Sequence, residues 1–133
     1  MKFTIKGRLP NLNDYIKECR GNKYSANQMK TRVENGIIIA IKQARLKPVT
    51  KYPVRLRITW YEENMRRDID NITFATKFIQ DAMVKAGVLK NDGQKQINAL
   101  EHKVAIDRER PRIEVEIIEL GDFSWRMTRN ITG

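Results

Sequence analysis

Hydrophobic and polar residues alternate along four short stretches of the chain. This two-residue period is typical of β-strands with one buried face, because successive side chains of a strand point to opposite sides. In the clearest stretch, from Val54 to Trp60, the polar side carries Arg55 and Arg57 and predicts a basic outer face. The four predicted strands cover residues 3–5, 54–60, 97–106 and 112–118.

Two longer stretches carry apolar residues at helical spacing instead. The first predicts a helix over residues 26–45, and Ser25 and Gln28 at its start have the spacing of a capping box. The second predicts a helix over residues 71–86 that ends at Gly87. With the strands, the two helices give the element order β-α-β-α-β-β.

This order predicts one α/β or α+β domain of residues 1–120, in which a mixed sheet of about four strands packs against two main helices. Residues 9–23 show no sustained period and are rich in Pro, Asn and Gly, so we expect a loop there. A turn at residues 108–111 indicates a hairpin between the last two strands. Residues 121–133 are expected to form a loose tail or an arm that docks on a second subunit.

The charge distribution adds a partner to this picture. A net charge of +10, from 26 Lys and Arg against 16 Asp and Glu, favours a polyanion such as nucleic acid. Residues 1–60 hold 14 basic and 3 acidic residues, whereas residues 61–133 hold 12 basic and 13 acidic residues. Because acids in the second part would repel phosphates, they need an explanation of their own.

Composition also excludes several classes of protein. Cys19 is the only cysteine and His102 the only histidine, which excludes an internal disulfide and a zinc site built from Cys and His. The longest apolar run, Ile37 to Ile41, is far shorter than the roughly 20 residues that cross a bilayer. We therefore expect a cytoplasmic protein with no membrane association.

Three acids of the second part do not belong to a solvated strand face. Asp68 and Asp70 lie two positions apart, so in extended backbone both carboxylates would point to one side and Ile69 to the core. Mg2+ prefers one or two carboxylates together with phosphate and water, so the pair predicts a divalent-cation site. Asp92, in the loop after the second helix, could add a third carboxylate. We assign the remaining clustered acids to a solvated strand face: Glu114, Glu116 and Glu119.

A structural interpretation of the same residues stays open beside this one. An Asp at a helix start is commonly a cap, and Asp92 before Gly93 has the chemistry of a turn. In that interpretation Arg66 and Arg67 are counter-charges to the aspartates, and Lys77 is a solvated helix residue.

Over residues 3–119 the chain resembles the RusA family of Holliday junction resolvases. The segments that carry this resemblance are Leu9 to Tyr15, Arg67-Asp68-Ile69-Asp70-Asn71, Lys77, Asp81-Ala82, Lys85-Ala86-Gly87 and Asn91-Asp92-Gly93-Gln94. Two departures from the family pattern are present. Asn91 stands where the family usually has an acid, and Lys77 lies about one helical turn further from Asp70.

The resemblance implies a homodimer that cuts four-way DNA junctions by paired nicks, with Mg2+ or alternatively Mn2+. It also implies that Asp68, Asp70 and Asp92 are the catalytic acids and metal ligands, and that Lys77 is the catalytic lysine. Basic residues near the acids and in the first loop are then expected to bind the DNA backbone: Arg66, Arg67, Arg8, Lys17, Arg20 and Lys23. A phage-type role in recombination and repair would suit such a resolvase.

Two other functions fit the same residues. In one, the protein binds nucleic acid without catalysis and the aspartates are caps. In the other, it is a metal-dependent nuclease that cuts flaps or other branched DNA. Mg2+-dependent nicking separates the first alternative from a nuclease, and the substrate that is cut separates the second from a resolvase.

Overall fold

A mixed sheet of four strands carries the helices on one face. The computed structural model describes residues 1–119, so the predicted tail at 121–133 lies outside the described residues. In chain order the elements are β1 (Lys2–Lys6), α1 (Leu12–Gly21), α2 (Lys23–Gln43), β2 (Val54–Glu62), α3 (Ile69–Thr73), α4 (Thr76–Lys85), β3 (Ile97–Ile106) and β4 (Arg112–Ile118). This confirms the predicted fold class.

The strand order β1-β4-β2-β3 corrects the predicted hairpin. β4 lies antiparallel between β1 and β2, whereas β3 lies parallel to β2 on its other side. The connection from β3 to β4 therefore passes the end of β2, where the Asp107 N–H donates to the Glu62 carbonyl at 2.8 Å. β4 takes the central place because Ile113 and Val115 pack in the core, while the edge strand β3 keeps Leu100 exposed.

The core lies between the sheet and the helices. On each of the three strands β1, β4 and β2, every second side chain points to the helices and is buried, as the alternating pattern predicted. Helix side chains fill the other half of the core. Its largest contributors are Phe3, Leu56, Ile58, Trp60, Val115 and Ile117 from the sheet, and Ile37, Ile41, Ile79 and Met83 from the helices.

The outer side of β2, on the open face of the sheet, carries Arg55 and Arg57 as predicted, but both arginines are paired with acids of the neighbouring strands. Arg57 lies 3.0 Å from Glu101 on β3 and 3.3 Å from Glu116 on β4. Arg55 also forms an ion pair with Glu101. Neighbouring strands thus supply the carboxylates, and Glu114 and Glu116 lie on this face as predicted.

Helix α1 occupies the segment predicted to be a loop. Asn11 caps it, since the Asn11 side chain accepts from the Asp14 N–H at 2.8 Å and the Asp14 carboxylate accepts from the Asn11 N–H at 3.0 Å. No residue of α1 is fully buried, yet Leu12, Tyr15, Ile16 and Cys19 follow helical spacing, a short apolar stripe that the loop prediction did not take into account. Similarly, α2 begins at a cap formed by Asn22, three residues before the predicted Ser25.

The helix predicted over residues 71–86 is two helices. α3 ends at Thr73, and α4 begins at Thr76. Between them the backbone tightens, because the N–H groups of Ala75 and Phe78 each donate to the carbonyl three residues earlier in the chain. Lys77 therefore belongs to a different helix from Asp70. None of the helices within residues 1–119 is both long and apolar enough to span a membrane.

Candidate active site

Asp68 and Asp70 lie at the start of α3, and both are exposed. Asp68 occupies the cap position with extended dihedrals, φ −74° and ψ 153°, but its side chain makes no capping hydrogen bond. The Asp70 carboxylate accepts from the neighbouring Asn71 N–H at 3.0 Å. Because helical backbone begins at Ile69, the pair is not in one extended segment, and Ile69 is 55% exposed instead of pointing to the core.

A buried acid holds the segment that leads to this pair. Glu62 ends β2, and its carboxylate lies 3.2 Å from the Arg8 guanidinium and 3.9 Å from that of Arg67. Arg67 also donates to the Leu9 carbonyl at 3.5 Å and lies 3.8 Å from the Asp14 carboxylate. A carboxylate removed from water needs such partners, so the two arginines tie the first loop to the segment before Asp68.

This arrangement divides the basic residues that were expected to bind DNA. Arg8 and Arg67 are partly buried and paired with acids of their own chain. The Arg66 side chain is exposed and makes no ion pair or hydrogen bond with any residue in 1–119. Lys17 and Arg20, on α1, are exposed in the same way.

Helix α1 leads from the aspartate pair to these basic residues. The Asn13 N–H donates to the Asn71 side chain at 3.3 Å, and the Tyr15 ring packs against Phe74 with centroids 5.4 Å apart. The N-terminal end of α1 is thus fixed beside α3. Lys17 and Arg20 follow about one and two turns further along, and Lys23 opens α2 directly after them.

Lys77 lies between two carboxylates. Its ammonium is 2.8 Å from Asp92 and 3.1 Å from Asp81. The hydrogen bond to Asp92, followed by that to Asp81, raises the pKa of Lys77 above its usual value. The Lys77 hydrogen bond in turn lowers the pKa of Asp92. The structure therefore brings together Lys77 and Asp92, two of the residues named from the family resemblance, and keeps both charged near neutral pH.

Two further acids extend this cluster, and neither was assigned a role from the sequence. Asp81 also lies 3.6 Å from Lys30 on α2. Glu34, which is 1% exposed, lies 3.9 Å from Lys30 and forms an ion pair with Lys85 on α4. The ion pair between Lys77 and Asp81 had a signal in the sequence, because residues four positions apart in a helix lie next to each other. Lys30 and Glu34 have the same spacing on α2, whereas the pairing of Glu34 with Lys85 had no local signal because the two residues are distant in sequence.

The carboxylates fit a site that a divalent cation would share with substrate. Within residues 1–119, no three acidic, His or Cys side chains lie close enough together to hold a metal ion. Asp68 and Asp70 offer hard, exposed oxygen atoms, and Mg2+ accepts one or two carboxylates when phosphate and water complete its shell. The donor chemistry thus suits Mg2+ on a DNA phosphate better than a cage made of protein alone.

One known protein family matches most of the chain. The family model for endodeoxyribonuclease RusA matches residues 8–118. The matched region includes α1, the aspartate pair, Lys77 and Asp92. A search of curated proteins gave no match.

Proposed function

Because this chain belongs to the endodeoxyribonuclease RusA family, we propose that it resolves four-way DNA junctions by paired, symmetric nicks that depend on Mg2+. The family consists of endonucleases that resolve Holliday junctions with the help of a metal ion. The observation in this chain that carries the proposal is the exposed Asp68 carboxylate, which occupies a cap position without capping the helix. The proposal also includes that the protein acts as a homodimer, that it is located in the cytoplasm, and that it serves phage-type recombination.

Asp68 and Asp70 are the proposed metal ligands, and Asp92 is the proposed third acid. When bound, Mg2+, or Mn2+ in its place, would activate water and neutralise charge on the scissile phosphate. The three acids have different surroundings in the free protein. Asp68 and Asp70 are exposed, whereas Asp92 is engaged by the Lys77 ammonium at 2.8 Å. Asp92 can therefore serve the site only if its pairing with Lys77 changes.

Lys77 is the proposed group for the phosphate or the leaving oxygen. Its pKa is raised by Asp92 and then by Asp81, so it carries a proton at neutral pH. A charged ammonium can bind a phosphate oxygen or donate a proton to the leaving oxygen. The Asp81 carboxylate lies 3.1 Å from the Lys77 ammonium. This contact would hold Lys77 in place if Asp92 bound the metal ion instead.

Arg66, Lys17, Arg20 and Lys23 are the proposed contacts to the DNA backbone. They are exposed, and the α1 residues lead away from the aspartate pair. Arg8 and Arg67 were expected to share this role. We propose instead that they position the segment before Asp68 through Glu62, because a buried acid already engages both guanidinium groups.

Cleavage assays with an Asp70→Asn variant test this function. The substrates are a synthetic four-way junction, a matched linear duplex and a flap, each with Mg2+ and with EDTA. We expect Mg2+-dependent nicking of the junction by the wild-type protein, and loss of cleavage with nearly intact junction binding in the variant. Glu109→Gln, which removes one exposed acid in the turn before β4, is the control and should cut normally.

Other outcomes would refute the proposal. Loss of junction binding together with cleavage in Asp70→Asn would contradict the division between binding and catalysis. Junction binding by the wild-type protein without any Mg2+-dependent nicking would favour a non-catalytic DNA-binding protein. Equal cutting of all three substrates would favour a nuclease of broader specificity.

A further inference from the structure

Within residues 1–119, the outer edge of β3 is long and has no partner strand. β3 pairs with β2 along one edge, and no strand within residues 1–119 pairs with the other. An open edge presents a row of unpaired backbone donors and acceptors, which natural proteins usually shield. The opposite edge strand, β1, is five residues long and carries Lys2 and Lys6 at its ends, whereas β3 is ten residues long. β3 therefore has the features of a strand that pairs with another chain.

An apolar strip lies beside this edge on the side of the sheet that carries the helices. Leu100 and Ile106 are 45% and 46% exposed, and Val104 between them is half-buried. His102 lies in the same row, where its Nδ1 accepts a hydrogen bond from the Trp60 indole at 3.1 Å. The corresponding positions of β2 are fully covered, so the helix layer ends before it reaches β3.

The sequence of β3 is complementary to itself in one antiparallel register. In antiparallel pairing, residues directly opposite each other share a face, so a two-fold axis must pass beside a residue and not between two residues. With the axis at His102, Leu100 lies opposite Val104 of the partner subunit. Glu101 then lies opposite Lys103 of the partner subunit, and Ala99 opposite the partner's Ala105.

Neighbouring registers lack this complementarity. An axis at Glu101 would place that carboxylate opposite its own copy, and an axis at Lys103 would do the same with two ammonium groups, which is destabilising. Lys103 is exposed and makes no ion pair within residues 1–119, so the register at His102 would give it a partner. Glu101 already lies beside Arg57 on the open face, at 3.0 Å.

We propose that β3 is the interface between two copies of this chain, paired antiparallel about His102 into one continuous sheet. The two-fold axis is perpendicular to the sheet, so both helix layers lie on the same side. Both candidate active sites then face one DNA junction. The role of the dimer in junction cleavage rests on the proposed function. The interface itself is inferred only from the open edge of β3, its apolar strip and its charges.

Disulfide trapping tests the register without DNA or metal, so its result is independent of nuclease activity. In a Cys19→Ser background, the double variant Ala99→Cys/Ala105→Cys should form a covalent dimer under mild oxidation, because Cβ atoms directly opposite lie about 4.5–5.5 Å apart. Ala105→Cys alone should not, since two copies of position 105 would be about 20 Å apart at 3.3 Å per residue.

Sedimentation velocity provides the second measurement. The wild-type protein should be a dimer at micromolar concentration. Leu100→Asp should raise the dissociation constant at least tenfold, whereas Ile39→Asp, at a similarly exposed position on α2, should leave it unchanged. A monomeric wild-type protein, or a dimer that neither cross-links through 99 and 105 nor responds to Leu100→Asp, would overturn the inference. Circular dichroism checks that each variant is folded.

Discussion

Replacing Asp68 by Ala distinguishes a metal ligand from a helix cap. A true cap of this type contributes about 0.5–2 kcal/mol to stability through its hydrogen bond to the first turn. Asp68 makes no such bond, and its carboxylate is exposed without an ion-pair partner within residues 1–119. We therefore expect the free energy of unfolding to change by less than about 0.5 kcal/mol, as for other surface positions without special contacts.

Catalysis should respond very differently. Loss of one of the proposed metal ligands removes stabilisation of the developing charge on the phosphate. We expect single-turnover cleavage of a four-way junction to fall by about a thousandfold, which corresponds to about 4 kcal/mol of transition-state stabilisation. Junction affinity in EDTA should remain within a factor of two or three.

Asn11 provides the matched control for this experiment. It is the cap of α1, and its side chain does accept a hydrogen bond, from the Asp14 N–H at 2.8 Å. Asn11→Ala should therefore lower the free energy of unfolding by about 1 kcal/mol in urea denaturation. The reasoning is refuted if Asp68→Ala destabilises as much as Asn11→Ala while junction cleavage is retained.

Two more predictions concern DNA binding and pH. Replacing Lys17 and Arg20 by Ala should weaken junction binding and lower the slope of log affinity against log salt by roughly one unit per lost contact, whereas Lys47→Ala, beyond the far end of α2, should change neither. Burial lowers the pKa of His102 below 6.5, so folding favours its neutral form. The contribution of His102 to the free energy of unfolding is therefore complete above pH 6.5 and decreases as the pH falls below that value. Urea denaturation at pH 7.5 and 5.5 should show this loss in the wild-type protein and a smaller one in His102→Asn, which keeps an acceptor for Trp60; an equal loss in both would contradict it.

Residues close in sequence determined much of the fold. The alternation in β2 and the helical stripe of α2 are local patterns, and both elements form where they were predicted, within a few residues. The aspartate pair was also visible as a motif, because its residues are adjacent along the chain. Together with the other segments that carry the family resemblance, this pair indicated the family before any distance was known.

Contacts between distant segments decided the rest. β4 pairs with β1 and β2 instead of its neighbour β3, because strand order depends on which apolar faces fill the core and not on the length of a turn. α1 depends on the capping by Asn11 and on packing against α3, and its short apolar stripe among Pro, Asn and Gly residues was not enough to predict it.

The use of each charge was likewise decided by the tertiary structure. Arg8 looked like a DNA contact, yet it is bound by Glu62, 54 positions away in the sequence. Lys77 lies beside Asp92, 15 positions further along the chain, only because the loop that follows α4 folds back toward the start of that helix. The sequence by itself determined the four strands, the long helix α2 and the family, since these depend on local pattern. Only the fold decided which charges neutralise one another and which stay available to DNA, because electrostatic partners are set by distance in space.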